Sequence, residues 1–590
     1  MKAAPALAVA SVAALLALFA AQYALSQMTS GSKTAVPRRP LPPGMKAPVV
    51  RFEDLAEKAG LTGINVSGSD VQQTYIVENT GTGVAIFDYD NDGLPDLFFV
   101  NGDRFDPKAP APTHFLYHNL GGLRFEDVTA KAGITHSDWG QGVCAGDIDD
   151  DGYVDLFVTA WGHNTLWHNQ GDGTFRDETA VRGLAGPFRW STGCAFFDYD
   201  RDGHLDLLVA HYLQFDPAHT PKPGDPGQCM WMGFPVVCGP MGLPPETVSL
   251  YHNDGHGHFT EVTGPAGLGT ARAAGLTVLT GDFGNTGWPD VFVAADSTPS
   301  LLFRNNHDGT FTESGALAGV AYNEDGHEQS GMGASAADYD HDGWLDIVKT
   351  NFSGDIPNLY RNLGKVGFTE VTAQAGLAVH AQYVSWGIGF LDFDNDGWKD
   401  IVIANGHVYP DLDRRGVGQT FQQPRLLYWN RRDGQFFDVS DDAGPGIEAR
   451  HSSRGLAVGD LDNDGDVEVV VVNMFQHPSL LKNYGDHGNS LLVRVLTPSG
   501  RDAIGARLAL TTSLGTQIDE VRSGGYYISQ GDFRIHFGLG ADTRGDLAVR
   551  WPDGSASAYP GLAASHWFTI QQGRGIVRAQ QFTPRPSPAR

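Results

Sequence analysis

One nine-residue pattern, D-x-D-x-D-G-x-x-[DE], constrains this chain more than any other feature. It appears as DYDNDGLPD at Asp88, DIDDDGYVD at Asp147, DYDRDGHLD at Asp198, DYDHDGWLD at Asp338 and DFDNDGWKD at Asp392, and again across Asp460–Glu468. A degenerate copy, DFGNTGWPD, begins at Asp282. Successive copies start 59, 51, 84, 56, 54 and 68 residues apart. Periods of this length mark repeat architectures in which each unit buries its apolar face against the next.

A second signature alternates with the first: L-[YWF]-x-N, a Gly/Asp turn, then F-x-[DE]. LYHNLGGLRFEDVTAKAGI from Leu116 and LYRNLGKVGFTEVTAQAGL from Leu359 are examples. Turn residues between alternating apolar runs read as hairpins. Two hairpins per repeat make four strands, the content of one propeller blade. The seventh copy is followed by LLKN at Leu480 but by no F-x-D segment, whereas an orphan, RFEDLAEKAGL, precedes the first copy. A ring explains both, because the N-terminal strand completes the last blade and leaves no open edge. The expectation is an all-β chain: a seven-bladed β-propeller over 50–485, then a small β-rich domain over 486–580 and a tail over 581–590.

Carboxylates at positions 1, 3, 5 and 9 with Gly at 6 form a hard-cation pattern, since Ca²⁺ takes six to eight oxygens in flexible geometry. The predicted ligands are Asp88, Asp90, Asp92 and Asp96; Asp147, Asp149, Asp151 and Asp155; Asp198, Asp200, Asp202 and Asp206; Asp338, Asp340, Asp342 and Asp346; Asp392, Asp394, Asp396 and Asp400; and Asp460, Asp462, Asp464 and Glu468. Position 12 falls inside a strand, so this is not an EF-hand. The Asp282 copy has Gly284 and Thr286 at ligand positions and is expected to bind weakly or not at all. About six Ca²⁺ would bring the formal charge from −28 to about −16. That charge excludes nucleic acid as a partner, because phosphate binding needs clustered Lys and Arg.

Residues 1–26 hold an apolar run that reads as a secretory signal or a retained membrane anchor, and 27–49 as a flexible linker. The chain is therefore expected to be exported, with membrane contact only through an uncleaved anchor. Cys229 and Cys238, in a Gly/Pro-rich insertion, are expected to form a disulfide. Cys144 and Cys194 read equally as buried thiols or as a second bridge.

FDYDNDGLPDLFF with LYHNLGGLRFEDVTAKAGI resembles the FG-GAP/VCBS repeats of integrin α-chain propellers and their bacterial relatives. Residues 500–554, from GRDAIGARLAL to VRWPDG, resemble the ASPIC/UnbV domain of the cartilage acidic protein family. The resemblance implies an exported Ca²⁺-binding propeller and supplies no catalytic residue. Arg544-Gly545-Asp546 lies in an apparent strand and reads as a chance tripeptide.

Because every acidic loop joins two adjacent strands, all of them share one face, and the other ends of those strands share the opposite one. His136, His211, His327, Glu328, His380, His407, His451 and Arg454 are expected there, with Glu78, Arg189, Asn101, His163, Asp296, Asn351, Asn405 and Asn473. The preferred function is a binding or adhesion module whose unknown protein, glycan or small ligand occupies this face. The alternative is an enzyme using His211, His327, His380, His407 and Glu328 for acid–base or metal chemistry. No serine-hydrolase elbow, P-loop or HExxH motif is present.

Overall fold

The computed structural model describes residues 36–585 except 107, 136 and 137. The N-terminal apolar segment and His136 therefore lie outside the described residues. Within them, no helix is long and apolar enough to cross a membrane.

Each repeat forms a four-stranded antiparallel blade. The first strands are Val84–Phe87, Trp139–Gly146, Arg189–Phe197, Gly275–Gly281, Ala334–Ala337, Ser385–Leu391 and Ser453–Gly459. Consecutive first strands touch one another around the whole circle, the first meeting the seventh, so they line the axis. Each acidic loop is the hairpin to the second strand, as in Val84↔Phe99 through Phe87↔Asp96. The strand Phe52–Asp54 pairs with Ser479–Asn483, Phe52 opposite Asn483 and Asp54 opposite Leu481, and so supplies the outer strand of blade 7. Buried Val, Leu, Ile and Phe from neighbouring blades fill the spaces between them.

The third blade carries the long excursion between His211 and Ser249. A two-stranded hairpin within it, Cys229–Trp231 and Phe234–Val236, is closed by the Cys229–Cys238 disulfide. Cys144 and Cys194 form a second disulfide, between the first strands of blades 2 and 3. Residues 36–49, expected as linker, lie along blade 6: Val36 donates to the Ala378 carbonyl at 2.8 Å and Arg38 covers the Phe437 ring at 4.4 Å.

After the propeller, two four-stranded sheets share one apolar core. One contains the parallel pair Asn489–Leu496 and His566–Gln571. This domain covers the acidic-loop face and reaches all seven loops. Arg494 approaches Asp88 at 3.8 Å, and Arg501 approaches Asp150 at 3.4 Å. Arg201 donates to the Pro552 carbonyl, Arg550 pairs with Asp282, and Arg507 donates to the Gly343 carbonyl. Lys399 pairs with Asp519, and Ser490 donates to the Gly465 carbonyl.

Segment 522–531 of this domain runs into the central channel. Gly142 and Gly455 stand on first strands and Gly83 and Gly333 immediately precede them, each five residues before an acidic loop, and they make room for it and for neighbouring strands. A Cβ on Gly83 would overlap the Ile528 carbonyl, and one on Gly455 would lie 2.6 Å from the Thr82 carbonyl. Arg544 and Asp546 sit in a strand paired to Ala556–Ala563, with a register shift between Gly545 and Leu547, where the Asp546 carboxylate accepts from the Gly561 amide.

Candidate metal loops and the opposite face

Local backbone chemistry makes the seven loops nearly superimposable. Position 4 is left-handed in every copy, with φ of 61° at Asn91, 59° at Asp150, 60° at Arg201, 50° at Asn285, 59° at His341, 56° at Asn395 and 58° at Asn463. The amide of the position-6 Gly donates to the position-1 carboxylate at 2.7–3.0 Å in all seven. The sharp turn thus exists even where Gly284 and Thr286 interrupt the acids.

The Asn of L-x-x-N ties the loops into a ring. Its side-chain amide donates, at 2.8–3.0 Å, to a backbone carbonyl in the loop of the preceding blade. Asn119 reaches Leu461 and so joins blade 1 to blade 7; Asn169 reaches Tyr89, Asn253 Ile148, Asn305 Tyr199, Asn362 Phe283, Asn430 Tyr339 and Asn483 Phe393. This role was not visible in the signature itself.

The residue before that Asn points at the acids and differs from blade to blade. His118 lies 3.2 Å from Asp96, His168 3.1 Å from Asp149 and His252 3.2 Å from Asp206. Arg304 pairs with Asp290 at 2.6 Å and Arg361 with Asp340 at 2.7 Å. Trp429 occupies the place in blade 6 and Lys482 in blade 7. Lys482 is buried, with its Nζ 3.0 Å from Asp462, 2.9 Å from Asp464 and 2.7 Å from Glu468. Burial alone would lower its pKa, but those three carboxylates hold it far above the usual lysine value.

Metal fit divides the loops accordingly. Asp88, Asp149, Asp340 and Asp394 each carry a buried Oδ1 with no hydrogen-bond partner, within oxygen-rich sets that suit a hard cation. Burial pushes Asp147, Asp198 and Asp338 up to about 7 and Asp88 to about 6, and neighbouring carboxylates of the same loops push in the same direction. In blade 4, Arg304 and Arg550 already neutralise Asp290 and Asp282. In blade 7 the Lys482 ammonium pairs with Asp462, Asp464 and Glu468. Arg361 is 40% exposed and is free to swing outward, which Lys482, 2% exposed, is not.

On the opposite face the described histidines do not assemble into one centre. His211 is buried between Ser191 at 3.1 Å and Ser249 at 3.0 Å, and burial holds it down to about 3. His407, likewise pushed down to about 3 by burial, packs among Trp231, Phe352 and Tyr409. His380 pairs with Asp438 at 2.9 Å, His451 with Gln476 at 2.7 Å, and His327 is exposed. Arg454 is fully buried: it donates to the carbonyls of Asn79 and Ser453 and lies 4.2 Å over the Trp386 ring. Glu78 accepts from the amides of Thr74 and Tyr75.

A cavity of about 200 Å³ does open on this face. Tyr212, Trp386, Tyr409 and Phe352 supply aromatic walls; Asp296, Glu328 and Asn79 supply polar ones. Val237, Pro240 and Met241 of the disulfide-closed insertion form its rim. Sequence reasoning placed Glu328 and Asp296 here but missed the aromatics: Trp386 stands at the head of a first strand, and Tyr212, Phe352 and Tyr409 follow the ends of second strands.

Residues 88–158, 147–209, 282–349 and 418–471 match the FG-GAP-like repeat, and residues 496–577 match the family described as ASPIC and UnbV. The chain is 26% identical to cartilage acidic protein 1 of Mus musculus over 80% of its length and 70% of that protein's. It is 31% identical to the Homo sapiens protein over 48% of this chain and 43% of that one. A solved Agrocybe aegerita lectin that recognises non-reducing terminal N-acetylglucosamine matches at 16% identity over 66% of this chain and 88% of its own, with a TM-score of 0.35, too low to carry an argument. With both domains matched in this order, the chain belongs to the FG-GAP-repeat proteins of the ASPIC/UnbV family, related to cartilage acidic protein 1.

Proposed function

We propose that this is an exported calcium-stabilised propeller that works as a binding module, with its ligand on the face opposite the acidic loops. The observation that carries this reading is the division between the two faces. The acidic face is covered by the C-terminal domain, while the other face keeps an open aromatic and acidic cavity. Two disulfides support an oxidising compartment, and the N-terminal apolar run supplies the export signal.

Calcium is assigned to five loops rather than six. Asp88/Asp90/Asp92/Asp96, Asp147/Asp149/Asp151/Asp155, Asp198/Asp200/Asp202/Asp206, Asp338/Asp340/Asp342/Asp346 and Asp392/Asp394/Asp396/Asp400 would hold it. When bound, the ion neutralises the carboxylates crowded into each loop. It stabilises the fold and takes no part in ligand chemistry. Equilibrium dialysis with metal analysis should find about five Ca²⁺ per chain, and EGTA should lower the melting temperature. A melt that stays constant at every EGTA concentration would sink the calcium assignment.

A further inference from the structure

The cavity on the open face has a chemistry that selects its occupant. Asp296 lines it, and the Asp296 carboxylate accepts from the Tyr212 hydroxyl at 2.5 Å and the Ser297 hydroxyl at 3.0 Å. It has no ion pair with any described Lys, Arg or His. Burial raises its pKa. Glu328 adds a second carboxylate at the rim, and no basic side chain lines the space.

Asn79 is a second, independent pointer. It is 5% exposed, lines the same cavity, and its Oδ1 has no hydrogen-bond partner. An orphan acceptor and an uncompensated carboxylate both ask for a donor, and a cationic donor satisfies both. The nearby positive charge, Arg454, does not serve. It stacks behind Trp386 and donates its N–H groups to the carbonyls of Asn79, Ser453, Gly406 and His407. The rings of Tyr212, Tyr409 and Phe352 remain as apolar and cation-attracting walls. In volume, about 200 Å³ exceeds the ~150 Å³ engineered cavity that takes benzene, leaving room for a ring and a short chain.

Resting on the binding-module reading above, we propose that this cavity binds a primary ammonium group carried on a small aromatic or alkyl body. The ammonium sits between Asp296 and Asn79 Oδ1, and the body lies against Tyr212, Tyr409 and Phe352. Glu328 attracts the cation at the mouth.

Calorimetric titration of the calcium-loaded full chain with benzylamine tests this, with isosteric benzyl alcohol as the uncharged control. Benzylamine should bind saturably and at least about tenfold more tightly than the alcohol, as a charge-assisted bond requires. Asp296→Asn should weaken benzylamine about tenfold or more. Glu328→Gln, at an exposed position that leaves folding intact, should weaken it about two- to fivefold at low salt. Nα-acetyl-lysine methylamide in a third arm separates the sources, since tighter binding of this probe than of benzylamine assigns the ammonium to a lysine side chain. Equal affinity for the alcohol, no saturable binding of either amine at 10 mM, or unchanged affinity in both variants would overturn the proposal. Any of these with the EGTA-dependent melt intact leaves the calcium-stabilised module standing.

Discussion

Lys482→Met is the sharpest perturbation of the loop chemistry. Methionine keeps the stem's volume and removes an ammonium that lies 2.7–3.0 Å from Glu468, Asp464 and Asp462. These acids and Asp460 are buried, so none gains compensating water. Removing one partner of a buried pair costs about 3–5 kcal/mol. Part of that is recovered by protonation, because burial already pushes Asp460 up to about 8 and Asp462 to about 6. In EGTA at pH 7.5 the variant should melt about 5–10 °C below wild type, using roughly 2 °C per kcal/mol for a large domain. The vacated place is then framed by carboxylates at positions 1, 3, 5 and 9, like the loops assigned to calcium. Calcium at a hundred times its Kd should return about 2.7 kcal/mol. Calorimetric melts with and without calcium read the stability, and dialysis should find one more Ca²⁺ per chain than wild type. Identical stoichiometry in the two proteins, or a variant as stable as wild type in EGTA, would refute the idea that Lys482 is an internal cation.

The remaining predictions concern pH, the asparagine ring and the inner disulfide. Asp147, Asp198, Asp206 and Asp338 sit near 7 in the folded chain, against about 4 when unfolded. Their contribution to metal-free stability is complete below pH ~4 and is lost as pH rises through ~7. EGTA-treated protein should therefore melt higher at pH 5 than at pH 8, and calcium should raise the melting temperature more at pH 8; the opposite order would contradict the burial argument. Asn253→Ala breaks bonds to the Ile148 and Leu205 carbonyls and should cost about 1–3 kcal/mol in urea unfolding, whereas exposed Asn306→Ala should cost under about 0.5 kcal/mol. Replacing Cys144 and Cys194 together by Ala opens a 50-residue loop and should cost about 4 kcal/mol on the chain-entropy account, read by the same unfolding curves.

The blade count and the acidic hairpins were legible because they are local, and the strand that closes the ring because its F-x-D segment stands before the first copy and is missing after the seventh. A nine-residue turn and a period-2 strand announce themselves in one stretch of chain. What stayed hidden depends on distant partners. L-x-x-N showed an Asn without showing that Asn119 would reach Leu461 across the ring seam. The Lys of LLKN gave no sign that it would enter the acids of its own blade. His211 and His407 looked like site residues because they follow second strands, yet their environment is protein on every side, with hydroxyls around one and rings around the other. The docking of the C-terminal domain did leave a trace: Arg494, Arg501, Arg507 and Arg550 are basic residues in an acidic chain, and each meets an acidic loop or its backbone.

That docking spans the two faces of the ring. The domain does more than cover the loops, because its segment 522–531 passes along the axis between glycines of the first strands. There the Tyr527 hydroxyl donates to the Thr80 carbonyl at 2.9 Å, and its ring meets Trp386 edge-on at 5.1 Å. Thr80 and Trp386 both line the cavity. At the other end of the segment, Arg534 donates to Asn463 and pairs with Asp532, beside the seventh loop. One continuous stretch of chain thus links the acidic loops to the cavity wall, and close-packed neighbours transmit small displacements rather than absorb them. A cavity built this way depends on the C-terminal domain being seated. The seating in turn uses Arg494 on Asp88, Arg501 on Asp150 and the pair of Lys399 with Asp519. Residues 522–534 thus form one continuous packed stretch between the acidic loops and the cavity wall on the opposite face of the ring.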